Sequence, residues 1–376
     1  MRGGLREKQS GVWEVRIEAG RDPITGRRRQ LSRTVRGTKQ EAERVLNALV
    51  SDADAGLTTG TDATFRFLCE EWLALTGAEL SPTTLRRYRG LLSKQIYPAL
   101  GDRPVSSIRT NDLDRLYLGL VTTRGLAPAT VRQVHAVIRR AFKQAVTWGW
   151  IANNPAANAS PPRVPKPELS PPDVAQVAAF LERAKVDDPA LGRILHVLAS
   201  TGARRGELCA LRWRDLDVDR QSLSIERSII EVAGGLSEKD TKTHSSRRIA
   251  LDPGTIAVFE QQRIDATRLA KLADADLTAE SFIFSTEPGG ETPLPPDSVT
   301  KRFQKLRDSL GLGRVRLHDL RHFTATRLIA AGVPIRTVSG RLGHANPSTT
   351  LAVYAHFVEA SDQDAAAVMG DLLSPP

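Results

Sequence analysis

The chain has 376 residues, with 53 Lys+Arg against 43 Asp+Glu and a formal charge of +10. That length holds two or three domains, and that cationic surplus calls for a polyanionic partner, nucleic acid before acidic lipid. Two cysteines exclude a disulfide framework, no apolar run reaches the ~18 residues of a membrane helix, and the charged start MRGGLREKQSG lacks a signal core, so the expected setting is the cytoplasm with no membrane partner.

The cations are front-loaded, with 11 Lys+Arg against 4 Asp+Glu in residues 1–40. Trp13, Val15 and Ile17 alternate with Glu14, Arg16 and Glu18, the period of a half-buried strand. DPITG at 22–26 is a turn signal, RRRQLSRTVRG reads as the next strand, and Thr38 caps a helix predicted over 39–53. Residues 1–60 are thus expected to form a small α+β module whose core is too thin to be rigid without ligand or neighbours. Its Arg27, Arg28 and Arg29 are candidate nucleic-acid contacts.

Residues 61–155 read as a domain of four helices. The second starts with Ser81 as cap and Pro82 as first helical residue, and carries Leu85, Tyr88, Leu92 and Ile96 on one face. The third takes Thr110 as its cap. The fourth, from Pro128 to Trp148, buries Val131, Val134, Ile138, Phe142 and Ala145 and turns Arg132, Arg139, Arg140 and Lys143 outward, a candidate DNA-binding face. Proline and asparagine then dominate, and residues 156–172 are predicted to be an extended linker.

Residues 173–376 alternate helices with a short β region. Strands are predicted at 222–228 and 245–251 with a loop between them, and helices at 298–310, 318–331 and 347–357. In TGARRGELCAL, Thr201-Gly202 ends one helix and Arg204 begins the next, where helix N-termini attract anions and a guanidinium fork matches a phosphate. Glu207, one turn on, is placed to orient it. Lys242 lies in the loop between strands, where a lysine with cationic neighbours can give up a proton. In HDLRHF, His318 and Arg321 share a helix face at i and i+3, and His322 is read as pointing elsewhere. In RLGHANPSTTLAVYAH, His344 precedes a turn and Tyr354 ends a short helix, while His356 faces away.

Each fragment alone reads as ordinary surface or core. In this order, together, they resemble the tyrosine recombinase or phage integrase family. Arg204 in TGARRGEL matches the family's first arginine, Lys242 in TKT its hairpin lysine, and His318 and Arg321 its His-x-x-Arg box. His344 in LGHA matches the second histidine, Tyr354 the nucleophile, and Glu207 the supporting acidic position. The N-terminal module resembles an arm-binding domain and residues 61–155 a SAM-like core-binding domain, a layout closer to integrases of prophages and integrative elements than to chromosome-dimer resolvases. The resemblance implies a multidomain, mainly α protein with a mixed α/β catalytic domain. It also implies DNA cleavage through a 3′-phosphotyrosyl link without metal or other cofactor, and a Holliday junction in a tetrameric synapse on double-stranded attachment sites. An excisionase-like or DNA-bending accessory protein is a further implied partner. A plasmid or transposon resolvase of the same fold is the nearest alternative, ahead of a type IB topoisomerase or a non-catalytic DNA-binding protein. The stripe Ala365, Val368, Met369 and Leu372 in the tail is read as a docking helix for a neighbouring protomer.

Overall fold

The structure, a computed structural model, describes residues 3–21, 26, 28–54, 61–165, 171–232, 234–240 and 246–343, with 366, 369, 370 and 373 of the tail. Two compact units divide the chain, Met1–Lys166 and Pro167–Pro376.

The first unit opens with an antiparallel sheet of β1 (Gly3–Gln9), β2 (Val12–Arg21) and β3 (Arg28–Arg36), followed by α1 (Lys39–Asp54). β1 adds a third strand to the two that the residue pattern marks. Val15 and Ile17 face inward and are buried, as the alternation requires. Glu14 breaks the pattern. It is buried and held by Lys8 and Arg16, both at 2.9 Å, so a carboxylate on the polar register survives burial through two cations. Thr38 and Glu41 bond reciprocally at the start of α1, since Glu41 accepts the Thr38 N–H at 2.7 Å and donates its own to the Thr38 hydroxyl at 3.3 Å.

Four helical segments follow: α2 (Phe65–Thr76), α3 (Pro82–Leu91), α4 (Thr110–Thr122) and α5 (Pro128–Thr147). Ser81 caps α3 by accepting from the Thr84 N–H at 3.3 Å. The regular helix is shorter than the sequence pattern suggests, because Leu92–Gly101 continues it as a π-helix containing Pro98. The proline ring crowds the i−4 carbonyl of a regular helix, and the wider turn gives it room while keeping Tyr88, Leu92, Ile96 and Leu100 buried. Thr110 is not the cap of α4. Asp112 accepts the N–H of Arg109, which is the N-cap, at 2.9 Å, and the Thr110 hydroxyl donates instead to the Pro155 carbonyl at 2.8 Å. Phe65 and Phe142, 4.9 Å between ring centroids, join α2 to α5 in the core.

The second unit is built on α7 (Pro189–Thr201), which follows α6 (Val174–Asp187). Asp188 caps α7, accepting from the Leu191 N–H at 3.2 Å, with Pro189 as the first helical residue. The same carboxylate takes Arg302 in a fork at 2.5 and 2.8 Å. After α8 (Arg205–Cys209), β4 (Leu216–Asp217), β5 (Ser222–Ile225) and β8 (Arg247–Ala250) make one antiparallel sheet, and β6 (Arg227–Val232) and β7 (Gly235–Asp240) make a hairpin. The loop expected between two strands is therefore mostly a hairpin, and the strand expected at 222–228 breaks at Glu226. Gly234 (φ +94°) lies in the turn of this hairpin, which pairs Ile230 with Ser237, a ladder that alternation alone did not announce. The remaining helices are α9 (Pro253–Leu272), α10 (Pro296–Ser309), α11 (Asp319–Ala330) and α12 (Ile335–Leu342). α6, α8, α9, α10 and α11 all pack on α7. Phe180, Leu195, Leu198, Phe259, Phe303 and Leu320 fill the core between them.

This is a multidomain, mainly helical architecture with small β elements. No described helix is long and apolar enough to cross a membrane. Cys69 and Cys209 are free and buried, and burial pushes the Cys209 thiol up to about 12.

Candidate active site

The site grows from the C-terminal end of α7. Helix ends leave carbonyls without intrahelical partners, and here side chains from later helices supply the donors. The Thr324 hydroxyl donates to Ala199 O at 2.7 Å, Arg341 Nη2 to Ser200 O at 3.0 Å, and Arg321 Nη1 to Gly202 O at 2.7 Å. Two of these donors are cations at the negative end of a helix dipole, where charge and geometry agree. Gly202 ends α7 in the left-handed region (φ +66°), which glycine adopts without strain.

Arg204 follows at the N-cap of α8. Its backbone N–H donates to Glu207 Oε2 at 2.9 Å, and its Nη1 donates to Glu207 Oε1 at 2.7 Å. Nη2 reaches Gly343 O at 3.3 Å. Arg205, its neighbour, is tied to Thr300 Oγ1 at 2.5 Å and Asp297 Oδ1 at 2.8 Å. Burial opposes ionisation of Glu207, but the hydrogen bonds and charge of Arg247, then those of Arg204, outweigh it and hold the carboxyl below the usual range.

Asp319 sets the start of α11, accepting from the Arg316 N–H and Nη2 at 2.8 Å each. His318 and Arg321 stand at that start. The His318 imidazole is pushed down to about 4, first by burial of the ring and then by His322 and Arg321, although the residue keeps part of its surface open. His322 does not point away from it. The two rings meet edge to face with centroids 5.1 Å apart, because i and i+4 share a helix face as surely as i and i+3.

A cavity of about 370 Å³ joins these groups. Its twelve lining residues include Arg204, Arg205, Arg307, Arg316, Arg321 and His318, and no carboxylate. Guanidinium groups at one hollow suit an anion with several oxygens, although Arg205, Arg307 and Arg316 are each already paired, with Asp297, Asp308 and Asp319. Among the described residues no group of His, Cys, Asp or Glu could hold a metal ion.

Of the six residues singled out from the sequence, the structure brings together Arg204, His318 and Arg321, with Glu207 behind them. Lys242, His344 and Tyr354 lie outside the described residues, as do Arg27, His356 and the helix expected at 347–357. So does the tail stripe apart from Met369, which is exposed. Arg28 is exposed on β3, Arg29 is described only in its strand backbone, and Arg132, Arg139, Arg140 and Lys143 are all exposed on α5. Sequence reading missed Arg316, Arg341 and Arg247. A signal existed for Arg247, which shares the inward register of β8 with buried Ile249, where a charge needs a partner.

A mainly helical, multidomain frame with small β elements and a cavity lined by Arg204, Arg321 and His318 defines the class of multidomain, mainly α proteins with a mixed α/β second unit. More particularly, the chain belongs to the phage integrase family, the tyrosine recombinases, and is by that membership a DNA recombinase. The Phage integrase family model matches residues 168–360 and the Phage integrase central domain model residues 65–161. The chain is similar to a tyrosine recombinase XerC-like protein of Caldanaerobacter subterraneus subsp. tengcongensis, 26% identical over 359 residues, covering 89% of this chain and 90% of the relative. It is also similar to the ICEBs1 integrase of Bacillus subtilis, 23% identical over 371 residues, covering 98% of this chain and all of that one (100%). Among solved structures, the Tn1549 transposon integrase in complex with a circular intermediate DNA matches with a TM-score of 0.70 at 22% identity, over 82% of this chain and 99% of that chain. A lambda integrase tetramer bound to a Holliday junction matches at 0.59 and 19%, over 91% and 96%. At these identities the structural likeness speaks for the fold.

Proposed function

We propose that this recombinase cuts and rejoins double-stranded DNA attachment sites through a 3′-phosphotyrosyl intermediate, integrating or excising a mobile element. The observation that carries the reading is the carboxylate-free cavity in which Arg204, Arg321 and His318 converge. A scissile phosphate seated there would meet two guanidinium groups whose donors stabilise the charge gathering on the pentavalent phosphorane. One such aimed donor is worth on the order of 3 kcal/mol. A neutral imidazole at His318 accepts a proton or donates one hydrogen bond without adding charge, which fits assistance to a tyrosine nucleophile whose free pKa is about 10.

Tyr354 Oη is the proposed nucleophile. Its bond to phosphorus forms as the bond to the 5′-oxygen breaks, and Lys242 supplies the proton that the leaving oxygen takes. His344 donates to the same phosphate. The phosphodiester energy is kept in the covalent link, so a 5′-hydroxyl of the partner strand reverses the step without a nucleotide cofactor. Two rounds pass through a Holliday junction, which calls for four protomers, and an excisionase-like or DNA-bending protein would set direction. In this reading residues 1–60 bind arm-type DNA, residues 61–155 bind the core site through Arg132, Arg139, Arg140 and Lys143, residues 156–172 link, and residues 173–376 carry the chemistry. In the same reading the protein works in the cytoplasm, with the nucleoid.

The test is a covalent trap. Wild type and Tyr354→Phe are incubated with DNA carrying the gene's own flanks, and SDS-resistant adducts are isolated and sequenced. Adducts from wild type alone, mapped to one position, support the reading. Tight binding with no adduct from either protein counts against it.

A further inference from the structure

Arg247 is a buried cation that the proposed reaction does not use. It opens β8, its side chain is 7% exposed, and its guanidinium has two partners on other segments. Nη2 donates to Glu207 Oε2 at 2.6 Å and Nη1 to Glu207 Oε1 at 3.3 Å, a fork on one carboxylate. Nε donates to Arg341 O at 2.8 Å, while Arg341 Nη1 returns a bond to Ala250 O at 3.0 Å, so β8 and the end of α12 are latched in both directions. Space beside the fork is tight. A Cβ on Gly343, which sits at φ +68°, would lie 2.6 Å from Arg247 Nη1.

Glu207 is 2% exposed and Arg204 44% exposed. A carboxylate that deep needs a counter-ion. Were Arg204 its only one, the full fork of Arg204 would turn onto Glu207 and their charges would cancel. With Arg247 present, Glu207 meets two cations, the three groups sum to one positive charge, and Arg204 gives the carboxylate one end of its fork. The remaining charge sits on the member of the trio that faces the cavity.

We propose that Arg247 is a positioning residue that occupies the fork of Glu207 and thereby leaves Arg204 charged and oriented toward the phosphate. The proposal rests on the reading that Arg204 grips phosphate, and it deepens that reading by naming what keeps Arg204 available. Arg247 touches no reacting atom and acts through Glu207.

The decisive comparison removes the cause as well as the residue. Arg247→Met leaves Glu207 charged and served by Arg204 alone. Arg247→Met with Glu207→Gln removes both buried charges, a change that folded proteins often tolerate. Inorganic phosphate is titrated into the full chain and followed by phosphorus NMR, and the part abolished in Arg204→Ala is the site-specific part. Arg247→Met is expected to weaken it about tenfold, Arg247→Lys by less, and the double variant is expected to recover most of that loss, since the glutamine amide oxygen still accepts from Arg204. Wild-type affinity in Arg247→Met, a double variant as weak as the single, or phosphate binding indifferent to Arg204→Ala would each overturn the proposal. Should Arg247→Met not fold, the double variant decides, since near-wild-type affinity supports the proposal and tenfold weaker binding overturns it. The same ranking is expected in the rate of adduct formation on the flank DNA. Absence of adducts from wild type with the phosphate ranking intact would count against the recombination reading and leave the role of Arg247 standing.

Discussion

Arg321 Nη1 donates to the carbonyl oxygen of Gly202 at 2.7 Å, across 119 residues of sequence. One buried guanidinium thus fixes the start of α11 to the end of α7, two residues before Arg204. The two arginines of the site are held in one frame because one of them is bonded to the backbone that presents the other.

Arg321→Lys keeps the charge and loses the planar fork. A lysine cannot serve the Gly202 carbonyl and a ligand in two fixed directions. Unfolding in urea should show a loss of about 1.5–3 kcal/mol, the range for a hydrogen bond to a charged group, together with loss of adduct formation. Unchanged stability would mean that the bond to Gly202 carries little.

Gly202→Ala tests the same joint from the other side. An added Cβ would sit 2.4 Å from Leu342 Cδ2, in a pocket where Leu342 is fully buried, and alanine is strained at φ +66°. Strain and clash together should cost about 2–4 kcal/mol. Pairing it with Leu342→Ala relieves the clash but not the strain, so the double variant should lose less than the two single losses added. Strict additivity would rule the clash out.

His318 should titrate well below an ordinary histidine. Its folded pKa lies under its unfolded value of about 6.5, so the unfolded chain binds the proton first. The stability contributed by neutral His318 is therefore complete above pH 6.5 and is lost as pH falls toward 4. Proton NMR of the His318 ring should show its inflection below pH 5, and His322→Asn should move it upward by removing one opposing charge. An inflection near 6.5 in wild type would mean that neither the partial burial of the ring nor its neighbours His322 and Arg321 lower it.

The outward face of α5 predicts a salt dependence. Arg132, Arg139, Arg140 and Lys143 are exposed, with Arg140 also lying 5.8 Å over the Tyr88 ring. Each cation that is removed from a DNA phosphate should flatten the slope of log K against log salt by about 0.9. Fluorescence anisotropy on duplex DNA, comparing wild type with Arg139→Gln and Lys143→Gln, measures this directly. An unchanged slope would place the DNA elsewhere.

The order of residue types along the chain was enough to single out Arg204, Glu207, His318 and Arg321, which the fold brings together. Helical spacing put Tyr88, Ile138 and Phe142 on buried faces, since a period of 3.6 survives in any helix that covers a core. The same local rules failed where a distant partner decided the outcome. Glu14 is buried on a polar register because Lys8 reaches it from the neighbouring strand and Arg16 from its own. Thr110 gave up its capping place because the Pro155 carbonyl lay within reach of its hydroxyl. The β6–β7 hairpin filled a stretch that alternation left as loop. By itself, then, the sequence determined most of the described helices, the caps at Thr38 and Ser81 and the inventory of charged groups, all properties of neighbours within a turn or two. Only the tertiary structure decided that Arg247 forks onto Glu207 and that Arg321 and Arg341 close the end of α7. Those bonds join residues 40 to 141 positions apart, and a buried charge is satisfied by whatever the fold brings to it.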